Sequence, residues 1–270
     1  MRSAPLSIAE IRVRLGRDWP PAGLVDAHAR AIEPEYPLAT AREYDPEPFP
    51  VEAYRRQVNA LGVERCVQVT ASCYGFDNSA TRNALAELGP QARGVAVIDP
   101  EIQEAELEKY AAAGFVAARV LTSRPGAHGA AAFEGVARRC AAHGWHVEVN
   151  VRDAGEWVGL EPRVIRSPVP VVFEHLGRAF GDDGVRSEGF RAMLRMLEAR
   201  PDFQVKVTGG LDAVEPALRV LAARFPEQLV WGSNLPHTRP EALLQLWEWL
   251  PDRALRQKLF ADNAARLYRF

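Results

Sequence analysis

The chain has 270 residues, 47% hydrophobic and 25% charged, an ordinary globular composition with ample length for a sizeable core. Its 33 basic and 35 acidic residues leave a net charge of −2, which excludes a global pull toward nucleic acid or membrane and makes any anion recognition local. No stretch approaches the ~18 apolar residues of a membrane helix. The start lacks a basic region followed by an apolar run, so no signal peptide is expected. Cys66, Cys73 and Cys140 are odd in number and lack CxxC or metal-ligand spacing. Neither a disulfide framework nor a zinc site is indicated, and a reducing cytoplasm is the expected setting.

In chain order, residues 1–23 read as an extension in which Ser7 caps a short helix over Ile8 to Leu15. Leu24 to Ala27 is a short apolar strand. A loop from His28 to Pro50 carries five prolines, and a loop of that length in a compact domain is usually functional. A helix over Pro50 to Leu61 closes at Gly62. The strand-and-helix unit then recurs. Strands are expected at Cys66 to Thr70, Gly94 to Ile98, Phe115 to Leu121, His146 to Val151, Val169 to Phe173, Phe203 to Val207 and Leu229 to Gly232. Helices are expected near 79–88, 104–113, 133–143, 157–166 (interrupted by Pro162), 190–199, 214–225, 240–250 and 252–267. Strands two to eight are mostly continuous Val-rich runs, the pattern of parallel strands buried on both faces. Eight of them separated by helices indicate a closed (β/α)8 barrel in one domain, residues 1–270. A doubly wound open sheet is the alternative, and the lack of a Gly-rich phosphate fingerprint after any strand counts against it.

Active sites of such barrels lie at the C-terminal strand ends. Those positions hold Asp26, His28 and Arg30; Ser72, Cys73 and Tyr74; Asp99; Arg119 and Thr122; Glu148 and Asn150; Glu174, His175 and Arg178; Lys206 and Thr208; and Ser233, Asn234 and His237. Three histidines (His28, His175 and His237) fall at the ends of separate strands, the sharpest chemical signal in the chain. One histidine on a loop is most often solvated or capping; three at equivalent ends are harder to dismiss. His128, His143 and His146 read as capping or structural, Glu148 and Lys206 as polar barrel filling, and Asp77-Asn78-Ser79 as a helix N-cap beside the mouth.

The Asp-x-His, Glu-His-x-Gly and Trp-Gly-Ser-Asn-x-Pro-His strand ends resemble the amidohydrolase superfamily, most of all its branch around 2-pyrone-4,6-dicarboxylate lactonase. The resemblance runs from Leu24 to Phe270. It implies hydrolysis of lactones, amides or related bonds, or decarboxylation. In many members it implies a divalent metal held by His-x-His, a later histidine and an aspartate on strand eight; for the lactonase itself it implies catalysis without one. His28 matches the first histidine of His-x-His and His175 the later one, while Arg119 and Arg178 look like carboxylate-binding groups.

Two positions depart from that pattern. Arg30 stands for the second histidine and Asn234 for the strand-eight aspartate. Arginine has no lone pair for a metal, and asparagine cannot take a proton from water. The reading is therefore a metal-independent, cofactor-free hydrolase of a small carboxylated lactone-like substrate. His28, His175 and Asn234 are the catalytic candidates; Arg30, Arg119, Arg178, Tyr74, Asn78 and His237 are the substrate-binding ones. Without the aspartate, neutral His28 is itself a candidate base. Two alternatives remain: a non-hydrolytic barrel enzyme (isomerase, cyclase or decarboxylase), and a degenerate barrel kept for binding. The second would show a mouth filled by Tyr36, Phe76 or other loop side chains, with His28 and His175 far apart. Arg30 and Asn234 lying together would mark replacement of a metal or water-activating site by an anion-binding one.

Overall fold

The computed structural model describes residues 5–122, 125–126, 128–208 and 213–270. Residues 1–4 of the expected extension and part of the Gly/Pro-rich loop after the fourth strand lie outside them. A capping box starts α1 (Ile8–Leu15): the Ser7 hydroxyl accepts from Glu10 N, and the Glu10 carboxylate accepts from Ser7 N. Eight parallel strands come next, β1 (Val25–Ala29), β2 (Arg65–Val69), β3 (Ala92–Val97), β4 (Phe115–Leu121), β5 (His146–Asn150), β6 (Val171–Phe173), β7 (Gln204–Val207) and β8 (Leu229–Trp231), each paired with the next in sequence. The helices between them are α2 (Val51–Leu61), α3 (Ser79–Leu88), α4 (Glu104–Ala112), α5 (Phe133–Ala142), α6 (Glu156–Val164), α7 (Gly181–Arg186), α8 (Glu188–Ala199) and α9 (Glu215–Arg224). α10 (Ala242–Trp249), α11 (Arg253–Gln257), a π turn (Lys258–Asp262) and α12 (Asn263–Tyr268) close the chain. This is the expected (β/α)8 barrel.

α6 forms across Pro162 because Trp157, Leu160 and Val164 bury its inner face, and that burial outweighs the lost backbone bond. The helices pack on the barrel through one large apolar cluster, with Leu107, Phe133, Phe190, Met193 and Phe203 among its members. A second, smaller cluster of Val25, Ala27, Val67, Val69, Val95, Ala117 and Val230 contains Tyr268 from α12. Among the described residues, no helix is long and apolar enough to cross a membrane.

Two local features position the side chains at the barrel mouth. The β1–β2 register slips by one residue between Asp26 and Ala29, a bulge. Strict alternation would turn Asp26 and His28 to the same face. Instead Asp26 accepts from Tyr54 Oη of α2 and from both N and Oγ of Ser233, while His28 meets Lys206 of β7. The second feature is the seam between β8 and β1. It is bonded beyond the strands, by Asn234 N to His28 O (2.8 Å) and Arg30 N to Leu235 O (3.0 Å). Gly232 makes the approach possible, since a Cβ there would stand 2.4 Å from His28 Cβ.

Candidate active site

The seam brings two side chains from opposite ends of the chain together. Arg30 Nη1 donates to Asn234 Oδ1 at 2.9 Å, and Arg30 Nη2 lies 2.6 Å from His28 Nε2. Asn234 Nδ2 donates to Thr238 Oγ1, so both ends of the amide are engaged. Arg30 is buried, and burial, reinforced by nearby Arg119, pulls its pKa down to about 10.

Beyond β6 the chain makes a turn of left-handed helix. His175, Leu176, Gly177 and Arg178 have φ of 52°, 52°, 61° and 62°. Left-handed backbone costs roughly 1–2 kcal/mol per non-glycine residue, so the packing must hold it. Leu176 is fully buried, Trp157 Nε1 donates to Gly177 O at 2.9 Å, and the Thr208 hydroxyl meets His175 Nδ1 at 2.5 Å. The turn sets His175 and Arg178 on the same cavity. Glu174, at its root, takes Arg119 Nη2 (2.6 Å) and Asn150 Nδ2 (2.5 Å) on Oε2. Burial, the largest influence, would raise the Glu174 pKa, but Arg119, His175 and Lys206 together outweigh it and hold the carboxyl below the usual carboxylate range.

The resulting cavity has a volume of about 530 Å³ and is bordered by Arg30, Arg119, Arg178, His175, Asn234 and His237, all six expected at the site. His28 does not border it. It is fully buried, its ring 5.1 Å from that of His175 and covered by Arg30. Burial, with Lys206 and Arg30 beside it, pushes the His28 pKa well below the ordinary imidazole value. Burial does the same to His175, against the opposing pull of Glu174. Both rings are neutral at neutral pH.

Tyr74 and Asn78 do not border the cavity. The Tyr74 hydroxyl accepts from Glu33 N and donates to Glu33 O, fastening the long loop. Asn78 accepts from Thr70 Oγ1 and Val97 N and donates to Val97 O, linking β2, β3 and α3. Their hydrogen-bonding capacity is spent on the frame. Conversely, Tyr44 and Phe180 border the cavity and were not expected there. Tyr44 Oη lies 3.1 Å from His237 Nε2. The length of the 28–50 loop was the one available signal for Tyr44. The conditions expected of a degenerate barrel are not met: the mouth is open, and the two histidines touch.

His28, Glu174 and His175 form the metal-sized cluster among the described residues. Its donor atoms do not fit a resident ion. His28 presents Nε2 to Arg30 and Nδ1 to Lys206, Glu174 Oε2 already receives Arg119 and Asn150, and His175 Nδ1 meets Thr208. His175 Nε2 and Glu174 Oε1 remain, among the charges of Arg30, Arg119 and Arg178. Two donors fall short of the three or four that zinc takes from protein.

A family model described as amidohydrolase matches residues 25–270, almost the whole chain. The chain belongs to the amidohydrolase family. Relatives of this amidohydrolase include the D-galactarolactone isomerase of Agrobacterium fabrum, 31% identical over 92% of either chain. The 2-pyrone-4,6-dicarboxylate hydrolase of Comamonas testosteroni is 32% identical, over 92% of this chain and 90% of the relative. An apo crystal structure from Agrobacterium tumefaciens superposes with a TM-score of 0.82 at 30% identity, covering 93% of this chain and 95% of that one.

Proposed function

We propose that this amidohydrolase opens a small, carboxylate-bearing lactone by acyl transfer without a resident metal, with water as the acceptor. The observation that carries the reading is Arg30. It is a buried guanidinium on the cavity wall whose side-chain hydrogen-bond partners, Asn234 and His28, are both neutral. A buried charge without a counter-charge is costly, and a substrate carboxylate would supply the missing one bidentately. Arg178 borders the same cavity, and Arg119 carries its own counter-charge in Glu174. Two guanidinium groups, Arg30 and Arg178, bordering one cavity suit a substrate with two carboxylates. His175 Nε2, neutral and on the cavity side, suits polarisation of the carbonyl or proton transfer. The lactone-hydrolase relative supports the substrate class.

A second reading is favoured by Asn234. An amide engaged on both ends cannot take a proton from water, and one relative is named a lactone isomerase. In that reading the attacking oxygen is a hydroxyl of the substrate itself. The test is a panel of carboxylated lactones assayed with and without chelator in ¹⁸O-water. Turnover that survives chelation and incorporates label supports hydrolysis. Turnover without label supports isomerisation, and chelator-sensitive turnover overturns the metal-free reading.

A further inference from the structure

Beneath the cavity floor runs a buried polar column that neither the hydrolytic nor the isomerising reading uses. Arg30 Nη2 lies 2.6 Å from His28 Nε2, His28 Nδ1 lies 3.1 Å from Lys206 Nζ, and Lys206 Nζ lies 2.5 Å from Glu148 Oε2. Tyr268 Oη donates to Glu148 Oε1 at 2.7 Å, and His146 Nε2 lies 3.4 Å from the same oxygen. Lys206, Glu148 and His28 are all fully buried.

A proton count restricts this column. Neutral imidazole has one N–H and one lone pair. Arginine can only donate, so with Arg30 seated Nε2 is the lone pair and Nδ1 carries the proton. Nδ1–H then needs an acceptor in Lys206, and only a neutral amine provides one. A charged Lys206 would force the proton onto Nε2, pointing it at another donor at contact distance. One assignment satisfies every contact: Arg30 donates to Nε2, Nδ1–H to Nζ, and Nζ–H to the Glu148 carboxylate.

We propose that His28 and Lys206 act as one proton-relay pair, uncovered when a substrate carboxylate draws Arg30 off Nε2. The pair supplies the base that the amide at Asn234 cannot. The proposal rests on the acyl-transfer reading. As the attacking O–H loses its proton to Nε2, Nδ1 passes its own to Lys206 Nζ, giving an ammonium held by Glu148. The attacking oxygen bonds to the lactone carbonyl carbon, and the carbonyl π pair moves onto its oxygen. On collapse the ring C–O bond breaks, and the leaving oxygen takes the proton back from Nε2 as Nζ returns one to Nδ1. No proton is gained or lost by the pair over the cycle. Lys206 acts through His28 and is a positioning residue. Burial lowers the pKa of both groups, against the opposing pull of Glu148 and Glu174 on Lys206. The other charged groups around them are Arg119 and Glu174, already paired with each other.

The test reads the tautomer directly. Ring-¹⁵N histidine spectra of the whole protein, with His28 assigned from the His28→Gln variant, are expected to show His28 protonated at Nδ1 and bare at Nε2. The opposite tautomer overturns the relay whether or not any lactone is turned over, so its failure is separable from failure of the acyl-transfer reading. Lys206→Met alone would strand the Glu148 carboxylate, so the kinetic arm uses Lys206→Met/Glu148→Gln. We expect kcat on whichever panel lactone the wild type opens to fall about 100-fold, with KM little changed. Wild-type kcat in that variant overturns the proposal.

Discussion

Arg30 and Asn234, 204 residues apart, meet at 2.9 Å across the seam that closes the barrel. The contact joins the two positions where this chain departs from the superfamily pattern, so the two changes form one unit. A guanidinium that would repel a metal is oriented by an amide where a carboxylate would neutralise it. The pairing leaves Arg30 bonded to two side chains that are not carboxylates.

Replacing Arg30 with methionine should therefore cost binding more than folding. A charge-assisted bond is worth about 1.5–3 kcal/mol, so affinity for a dicarboxylate such as succinate should fall about 10- to 150-fold. The melting temperature should hold or rise, because a buried charge is removed. Titration calorimetry and a thermal melt check the two together. Unchanged affinity would remove the anion-site reading.

Asn234→Asp should place a carboxylate on Arg30 and fill the site from within. Affinity for the same dicarboxylate is expected to fall at least tenfold, since the new carboxylate competes for one guanidinium. Parallel calorimetry on wild type and variant measures this, and tighter binding in the variant would count against the assignment.

The left-handed turn gives a stability prediction. Gly177 has φ of 61°, and a Cβ there would stand 2.4 Å from Met193 Sδ. Gly177→Ala should destabilise by roughly 2–4 kcal/mol, the backbone penalty plus local overpacking. Trp157→Phe keeps an aromatic ring but leaves Gly177 O without its donor, at about 1–3 kcal/mol, with the lost volume adding to it. Urea denaturation gives both values; losses under about 0.5 kcal/mol would show that the turn is not under tension.

The buried histidines set an acid limit. The folded-state pKa values of His28 and His175 lie well below the ordinary 6.5. The unfolded chain therefore binds more protons than the folded one in the window below 6.5, and stability falls there as the pH is lowered. His128 and His146 shift the same way through burial. Glu174 also has a depressed pKa, but as a carboxylate its contribution is lost only at lower pH, below the ordinary 4.5. Urea midpoints between pH 7 and 5 should decline, and His175→Gln should flatten the slope. A slope identical in that variant would refute the contribution of His175.

Much of this was legible in the residues. α3 over Ser79–Leu88 and β4 over Phe115–Leu121 fall where their apolar spacing and flanking breakers put them. Six cavity residues were legible because barrel geometry makes strand ends converge. What was not legible depends on backbone that breaks its own period. The bulge at His28 is one added residue with no compositional mark. The 174–178 turn contains a single glycine among its left-handed residues, so nothing in Glu-His-Leu-Gly-Arg announces its hand. α7 is six residues long with no buried side chain, so it shows no apolar stripe. Tyr44 reaches the cavity from a loop whose path no periodicity describes. Tyr74 and Asn78 were misleading because a polar residue near a mouth can be spent on the frame.

The bulge in β1 also carries a warning for anyone editing this barrel. Deleting Ala27 would restore an unbroken ladder to β2 and look like a repair. It would also rotate everything after it by half a pleat, carrying the imidazole off the lysine and the guanidinium off the cavity wall. Here the regular strand is the inactive one, and a design procedure that rewards ideal geometry would erase the site while raising its own score.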